Sequence, residues 1–274
     1  MHIQRTPGLH VVPRGRDLLQ VGLGRHATVV DADPLLLDTL VRLVTETTPV
    51  SPRLAPLLES GALTAGPVPQ DPLSRQLARE HPTDWVERLR RRHACGVAVI
   101  GHVAGAAPEP QALLERSGLV GPTTSALVLC DGSPEPAVLD ALLRTATPHL
   151  LLRTLDGEVR LGPFVVPGLT ACAACLEFHA GDLDPAHDDV QRRYREALGA
   201  DRDPVDTDPA MLALAIGWAV GDLVAHADGE RPSTWSTTFT LSPGRTPEPT
   251  SWLRHPECGC HWVPRQDRSP SLAG

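Results

Sequence analysis

The sequence contains no lysine and no asparagine, and all 25 of its basic residues are arginine. A GC-rich coding sequence, whose codon usage disfavours both residues, accounts for the pair. The chemical consequence is the same whatever the cause. There is no Walker-type lysine, no Schiff-base amine and no lysine clamp on a phosphate. Positive charge is also short. Against 33 acidic residues the net charge is −8, which argues against general nucleic-acid binding and against a winged-helix DNA regulator. The opening "MHIQRTPGLHVV" lacks the charged, apolar and small-residue order of a signal peptide. By inspection no apolar run reaches the roughly 18 residues of a bilayer span. These absences predict a cytoplasmic chain away from membranes. In that compartment thiols stay reduced, and close cysteine pairs bind metal more often than they form disulfides.

What is present is globular. Hydrophobic residues make up 41% and charged residues 21% of a 274-residue chain, enough for one large domain or two modest ones. The first part alternates: "LHVVPRG" (9–15), "DLLQVGLG" (17–24) and "ATVVDAD" (27–33) read as three short strands. A helix over 34–44 follows, with Asp33 as its cap and Pro34 in its first turn, then a shorter helix over 52–61. Three strands followed by helices is the outline of a winged helix-turn-helix module. "TAGPVPQDP" (64–72) reads as a linker, and an arginine-rich helix over 73–92 leads to the rest.

From Cys95 onward the pattern becomes strand–helix–strand–helix–strand. "CGVAVIG", "SALVLCDG" and "HLLLRTL" read as buried strands of a parallel sheet. "PAMLALAIGWAVGDLVAHADG" (209–229) is a long apolar helix, suited to burial or to packing on a second subunit.

Four thiols fall in two close pairs, Cys172 with Cys175 and Cys258 with Cys260. Zinc takes tetrahedral thiolate sets from two such pairs, and Gly259 gives the tighter pair backbone freedom. The alternatives are ordinary buried cysteines or a CxxC redox centre. Against the redox reading, "CAAC" is not expected to open a helix after a strand with a neighbouring Trp or Pro. His255 and His261 flank the second pair as substitute ligands. Cys95 and Cys130 are expected to be buried as small hydrophobes. "VAVIGHVAGA" (97–106) offers Gly101 and Gly105 as a reduced dinucleotide loop, with Asp131 as the acid that caps either a ribose or the next helix.

"GPFVVPGLTACAACLEFH" and "WLRHPECGCHW" resemble the two zinc pairs of ThiF/MoeB-type activating enzymes, relatives of the ubiquitin activators. The strand–Asp–helix–strand–strand run between them follows the same order, so the resemblance spans about 95–262. Two features depart from the adenylating members: the missing lysine, and a single helix between Gly105 and "SALVLCDG" where another βα unit is expected. Within the superfamily the chain resembles the ThiF-like partner proteins of azoline-forming cyclodehydratases, found in clusters for ribosomally made peptide natural products.

That resemblance implies an α/β architecture. It has a winged-helix peptide-recognition module (1–66), a linker and connecting helix (67–93), a degenerate Rossmann-like ThiF domain with structural zinc (94–263) and a loose tail (264–274). It implies that the leader of a precursor peptide adds as a strand beside Ala27, Thr28, Val29, Val30 and Asp31. The leader would then pack on the last helix, where Leu54, Leu57 and Leu58 form either an apolar wall or core. Arg14, Arg16 and Arg25 would attract an acidic leader or form a solvated rim. A YcaO-type partner would use ATP to cyclise the core peptide. The chain itself would hold no catalytic residue and no ATP, and would dimerise through 209–229. The alternative is an adenylating activator using Gly101, Gly105 and Asp131.

Overall fold

The computed structural model describes residues 2–24, 27–43, 47–105, 109–200 and 207–262, with 197–200 and 261–262 described in backbone only. The chain divides into two compact units, Met1–His93 and Ala94–Gly274.

In the first unit the strands are β1 (His2–Arg5), β2 (Val11–Arg14), β3 (Leu18–Val21) and β4 (Thr28–Asp31). They are followed by α1 (Pro34–Arg42), β5 (Thr48–Pro49), α2 (Ala55–Glu59), β6 (Leu63–Ala65), α3 (Pro72–Glu80) and α4 (Trp85–His93). The three strands expected from alternation are β2, β3 and β4, an antiparallel sheet in that order. Asp33 caps α1 as expected, its carboxylate accepting from Leu35 N at 2.9 Å. A second antiparallel sheet, β5-β1-β6, was not foreseen. Its β5 lies in the "TETTPV" stretch (45–50), of which 45–46 are outside the described residues. Ile3, Leu40, Leu57 and Leu63 form the centre of this unit's core.

The expected linker and connecting helix belong to this unit. Gln4 Nε2 donates to Pro67 O at 2.6 Å, Thr64 Oγ1 to Pro82 O at 2.8 Å and Trp85 Nε1 to Ala65 O at 2.6 Å. Trp85 is buried with Leu77 and Ala78, so 67–93 is sewn onto β6. The single helix foreseen there is two, separated by a turn containing Pro82, whose ring excludes the preceding residue from helix.

The edges of the β2-β3-β4 sheet differ. Gly22 N donates to His10 O, and the register pairs Val12 with Gln20, so Val11 and Pro13 turn their backbone groups outward. Pro13 has no N–H to offer there. On the other side Ala32 N donates to Asp17 O and Leu19 pairs with Val30, so Val29 and Asp31 face outward.

The second unit contains β7 (Gly96–Gly101), α5 (Glu109–Arg116), β8 (Thr123–Asp131), α6 (Pro136–Arg144), β9 (His149–Leu155) and β10 (Glu158–Val165). It continues with α7 (Ala173–Leu183), α8 (His187–Ala200), α9 (Pro209–Ala227), β11 (Thr237–Leu241), β12 (Glu248–Ser251) and a 3₁₀ turn at Gly259–Trp262. One six-stranded sheet runs β12-β11-β10-β9-β8-β7. Only β7, β8 and β9 are parallel, while β10 to β12 return antiparallel. Alternate residues of β8 bury on opposite faces. Leu127 and Leu129 pack with Leu114 of α5 and with α9, whereas Ala126 and Val128 pack with Leu142 of α6. Both faces are covered, and this is why "ALVLC" reads as a continuous apolar run.

α9 corrects the expectation about long apolar runs, since its 19 residues are long and apolar enough by length and composition to cross a membrane. In the fold its Leu212, Ala215, Ile216, Ala219 and Leu223 line one stripe on the sheet. Asp222, buried in the same helix, accepts from Ser233 N and Thr234 N, both at 2.9 Å, and from both hydroxyls.

Candidate functional site

Cys172 is the cap residue of α7 and Cys175 lies in its first turn, so one helix start aims two sulfurs the same way. The loop after β12 returns to meet them. The sulfurs of Cys172 and Cys175 lie 3.8 Å apart, those of Cys172 and Cys258 3.6 Å, and those of Cys175 and Cys260 3.5 Å. All four lie within 4.8 Å of one another, and all four residues are buried. Four thiolates at about 2.3 Å from one tetrahedral ion would stand about 3.8 Å apart, so the spacing suits a single metal ion. Without a cation the thiols must share protons. The Cys172 thiol hydrogen bond lowers the Cys175 pKa to about 4 and pushes Cys172 up, while burial pushes Cys260 up to about 12. A cation removes that conflict.

"CAAC" does open a helix, after β10 and close to Pro167, so the argument against a redox centre from local context fails. The convergence of Cys258 and Cys260 on the same point replaces it. Gly259 is not in the left-handed region, and a Cβ there would meet nothing within 4 Å, so the tight pair does not require glycine.

His255 lies beside the thiols but bonds elsewhere. Its Nδ1 accepts from Glu257 N at 3.2 Å and its Nε2 meets Asp182 at 2.9 Å. With His179, whose Nε2 meets Leu253 O at 3.0 Å, it clamps α7 to the returning loop. The side chain of His261 lies outside the described residues. Cys95 and Cys130 are half-buried rather than buried, and desolvation raises the Cys130 thiol to about 12.

The reduced glycine loop follows β7. β7 pairs directly with β8, with α5 the one helix between them among the described residues, as the missing βα unit implies. Gly101 has φ +77°, and a Cβ there would stand 2.3 Å from Leu129 O, so close passage of β8 demands glycine. Gly105 has φ +80° in open space, and 106–108 are outside the described residues. Asp131 does not cap α6, whose cap residue is Glu135. Its carboxylate accepts from Ala104 N at 3.2 Å, in the loop itself, and from Thr154 Oγ1 at 2.5 Å. A backbone N–H of the kind that cradles phosphate therefore faces a carboxylate of this chain. Sequence alone named Asp131 but not Thr154, which lies opposite it on β9.

In the first unit, β4 is an edge strand. Val29 N–H and C=O have no partner among the described residues, whereas Asp31 C=O accepts from Asp33 N at 2.8 Å. Ala27 and Asp31 are exposed, and Thr28 and Val30 are half-buried. Leu54, Leu57 and Leu58 belong to the core with Leu40 and Leu43, so none of them walls a groove. Apolar exposure lies instead on the outer sheet face, at Val12, Leu18 and Val29, and on α1, at Leu35, Leu37 and Val41. Arg14 donates to Gln20 at 2.9 Å, Arg16 is exposed, and Arg25 is outside the described residues.

No protein-family model matches the chain, and no curated protein matches it in sequence. Solved structures do match in fold. The heterocyclase TruD superposes with a TM-score of 0.65 at 20% identity over 94% of this chain. A heterocyclase in complex with substrate and cofactor gives 0.64 at 18% identity over 92%. The match takes up only 42% and 38% of those two chains, so this chain spans less than half their length. E. coli MccB with ATP gives 0.61 at 12% identity, covering 95% of this chain and 99% of MccB. At these identities the likeness establishes the fold: a mixed α/β chain of the MccB and heterocyclase type.

Proposed function

We propose that the chain is a non-catalytic scaffold that binds the leader of a ribosomally synthesised precursor peptide and presents it to a YcaO-type cyclodehydratase for azoline formation. The observation that carries this reading is the open edge of β4. An extended peptide beside it can exchange two hydrogen bonds with Val29 and take a third from Asp31 N–H, while its side chains meet the apolar outer face. This is a winged-helix module used for strand addition, with the outer sheet face replacing the wall first expected at α2. Tethering would raise the effective concentration of the core peptide at the partner's active site. The fold shared with two heterocyclases supports the assignment. The four thiols would hold structural zinc, and a homodimer through α9 and a cytoplasmic setting belong to the same reading.

The likeness to MccB with ATP favours the rival, an adenylating enzyme. Against it stand the absence of lysine and the Asp131 carboxylate on the loop amide. Fluorescence polarisation with a leader peptide encoded beside this gene tests the scaffold. We expect saturable micromolar binding, weakened about fivefold or more by Val29→Pro, which removes one outward N–H worth about 1 kcal/mol. No saturable binding at micromolar protein, or ATP–pyrophosphate exchange above background, would end this reading.

A further inference from the structure

A cavity of about 260 Å³ opens in the second unit between α6, α7 and α8, above the start of β9. It is smaller than the roughly 300–1,000 Å³ of drug-sized pockets, so its occupant is small. Leu139, Leu143 and Ala173 give it apolar walls, and His149 lines it. His149 is 1% exposed, and its Nδ1 lies 2.9 Å from Thr147 O. A carbonyl only accepts, so Nδ1 carries the proton and a neutral ring leaves Nε2 as a bare acceptor. Burial favours the neutral ring by pushing its pKa down. Nε2 has no partner among the described residues, which leaves it an open acceptor. Three carboxylates line the cavity: Asp140 and Asp188, exposed and not ion-paired among the described residues, and Glu177, which pairs with His187 and Arg153. Arg195 and the thiol residue Cys172 line it too.

We propose that this cavity is a binding site for a primary alkylamine, whose N–H groups meet His149 Nε2 and the Asp140 and Asp188 carboxylates while its carbon chain lies against the apolar walls. The chain's net charge of −8 favours a cation, and the chain has no lysine, so no lysine of a second copy can fill the site. The amine comes from a free small molecule or from the lysine side chain of another polypeptide. Peptide pairing at β4 lies in the other unit, so either property can fail without the other.

The test is an NMR titration of the full-length, metal-loaded protein, following the His149 ring resonances. The probes are n-butylamine and Nα-acetyl-lysine methylamide, with butyrate as the control. Saturable millimolar binding of either amine, shifting the His149 ring and at least tenfold weaker for butyrate, supports the proposal. Binding of n-butylamine alone assigns a free amine, and binding of the blocked lysine assigns a polypeptide. His149→Phe, with folding checked by metal content, should lose binding at least tenfold, and Asp140→Asn with Asp188→Asn several-fold. No saturable shift to tens of millimolar, or equal binding by the Phe variant or by butyrate, overturns it.

Discussion

Within the second unit two sets of acidic groups converge, and they are satisfied in opposite ways. At the glycine loop the Asp131 carboxylate finds an N–H from Ala104 and a hydroxyl from Thr154. At the start of α7 four thiols find mainly one another, and their protons are pushed in opposing directions. The first set is neutralised by the protein's own dipoles and asks for no ligand. The second is incomplete until a cation enters. The same unit therefore gathers four thiols that could share one metal ion, and sets a carboxylate of its own on an amide of the glycine loop.

The largest effect should come from the incomplete set. Cys258→Ser should abolish stoichiometric metal and unfold much of the second unit, because structural zinc contributes up to about 10–16 kcal/mol in small domains. Metal analysis and thermal melting check this, and a variant that melts like the parent would erase the contrast. Since Cys172 and Cys260 hold their protons above the ordinary thiol range, metal uptake should release protons and tighten as pH rises. Asp131→Asn should act more mildly. It keeps an acceptor but loses the charge, so urea unfolding should show a loss of about 1–2 kcal/mol with metal content unchanged. A loss near zero would mean that the loop does not depend on that carboxylate. The smallest effect belongs to Gly259→Ala, which should hold metal normally and shift stability by less than about 0.5 kcal/mol. Metal loss there would restore the idea that the tight pair needs glycine.

What the sequence disclosed follows the same contrast between local and distant partners. The β2-β3-β4 strands and the parallel strands are legible because alternation and apolar runs lie in contiguous residues. The thiol pairs are legible because spacing within each pair is local, and chemistry supplies the long-range link. β1 is not legible. It reads "HIQR", its Gln4 is buried through a bond to Pro67, and its partners lie some 45–60 residues away. In sequence α8 does carry an apolar stripe, Val190, Tyr194, Ala197 and Leu198 at i, i+4, i+7 and i+8, but it is thin among charged residues and does not announce the helix. The leucines of α2 have the right spacing for a groove wall, but only packing decides that they face inward.

Pro13 gives the first unit a further property. Because it withholds an N–H from the β2 edge while β4 remains open, this sheet favours strand addition on one side. Head-to-tail growth of one copy upon another would have to use the β2 edge as well, where that donor is missing. A strand arriving at β4 would then face little competition from the β2 edge of a second copy.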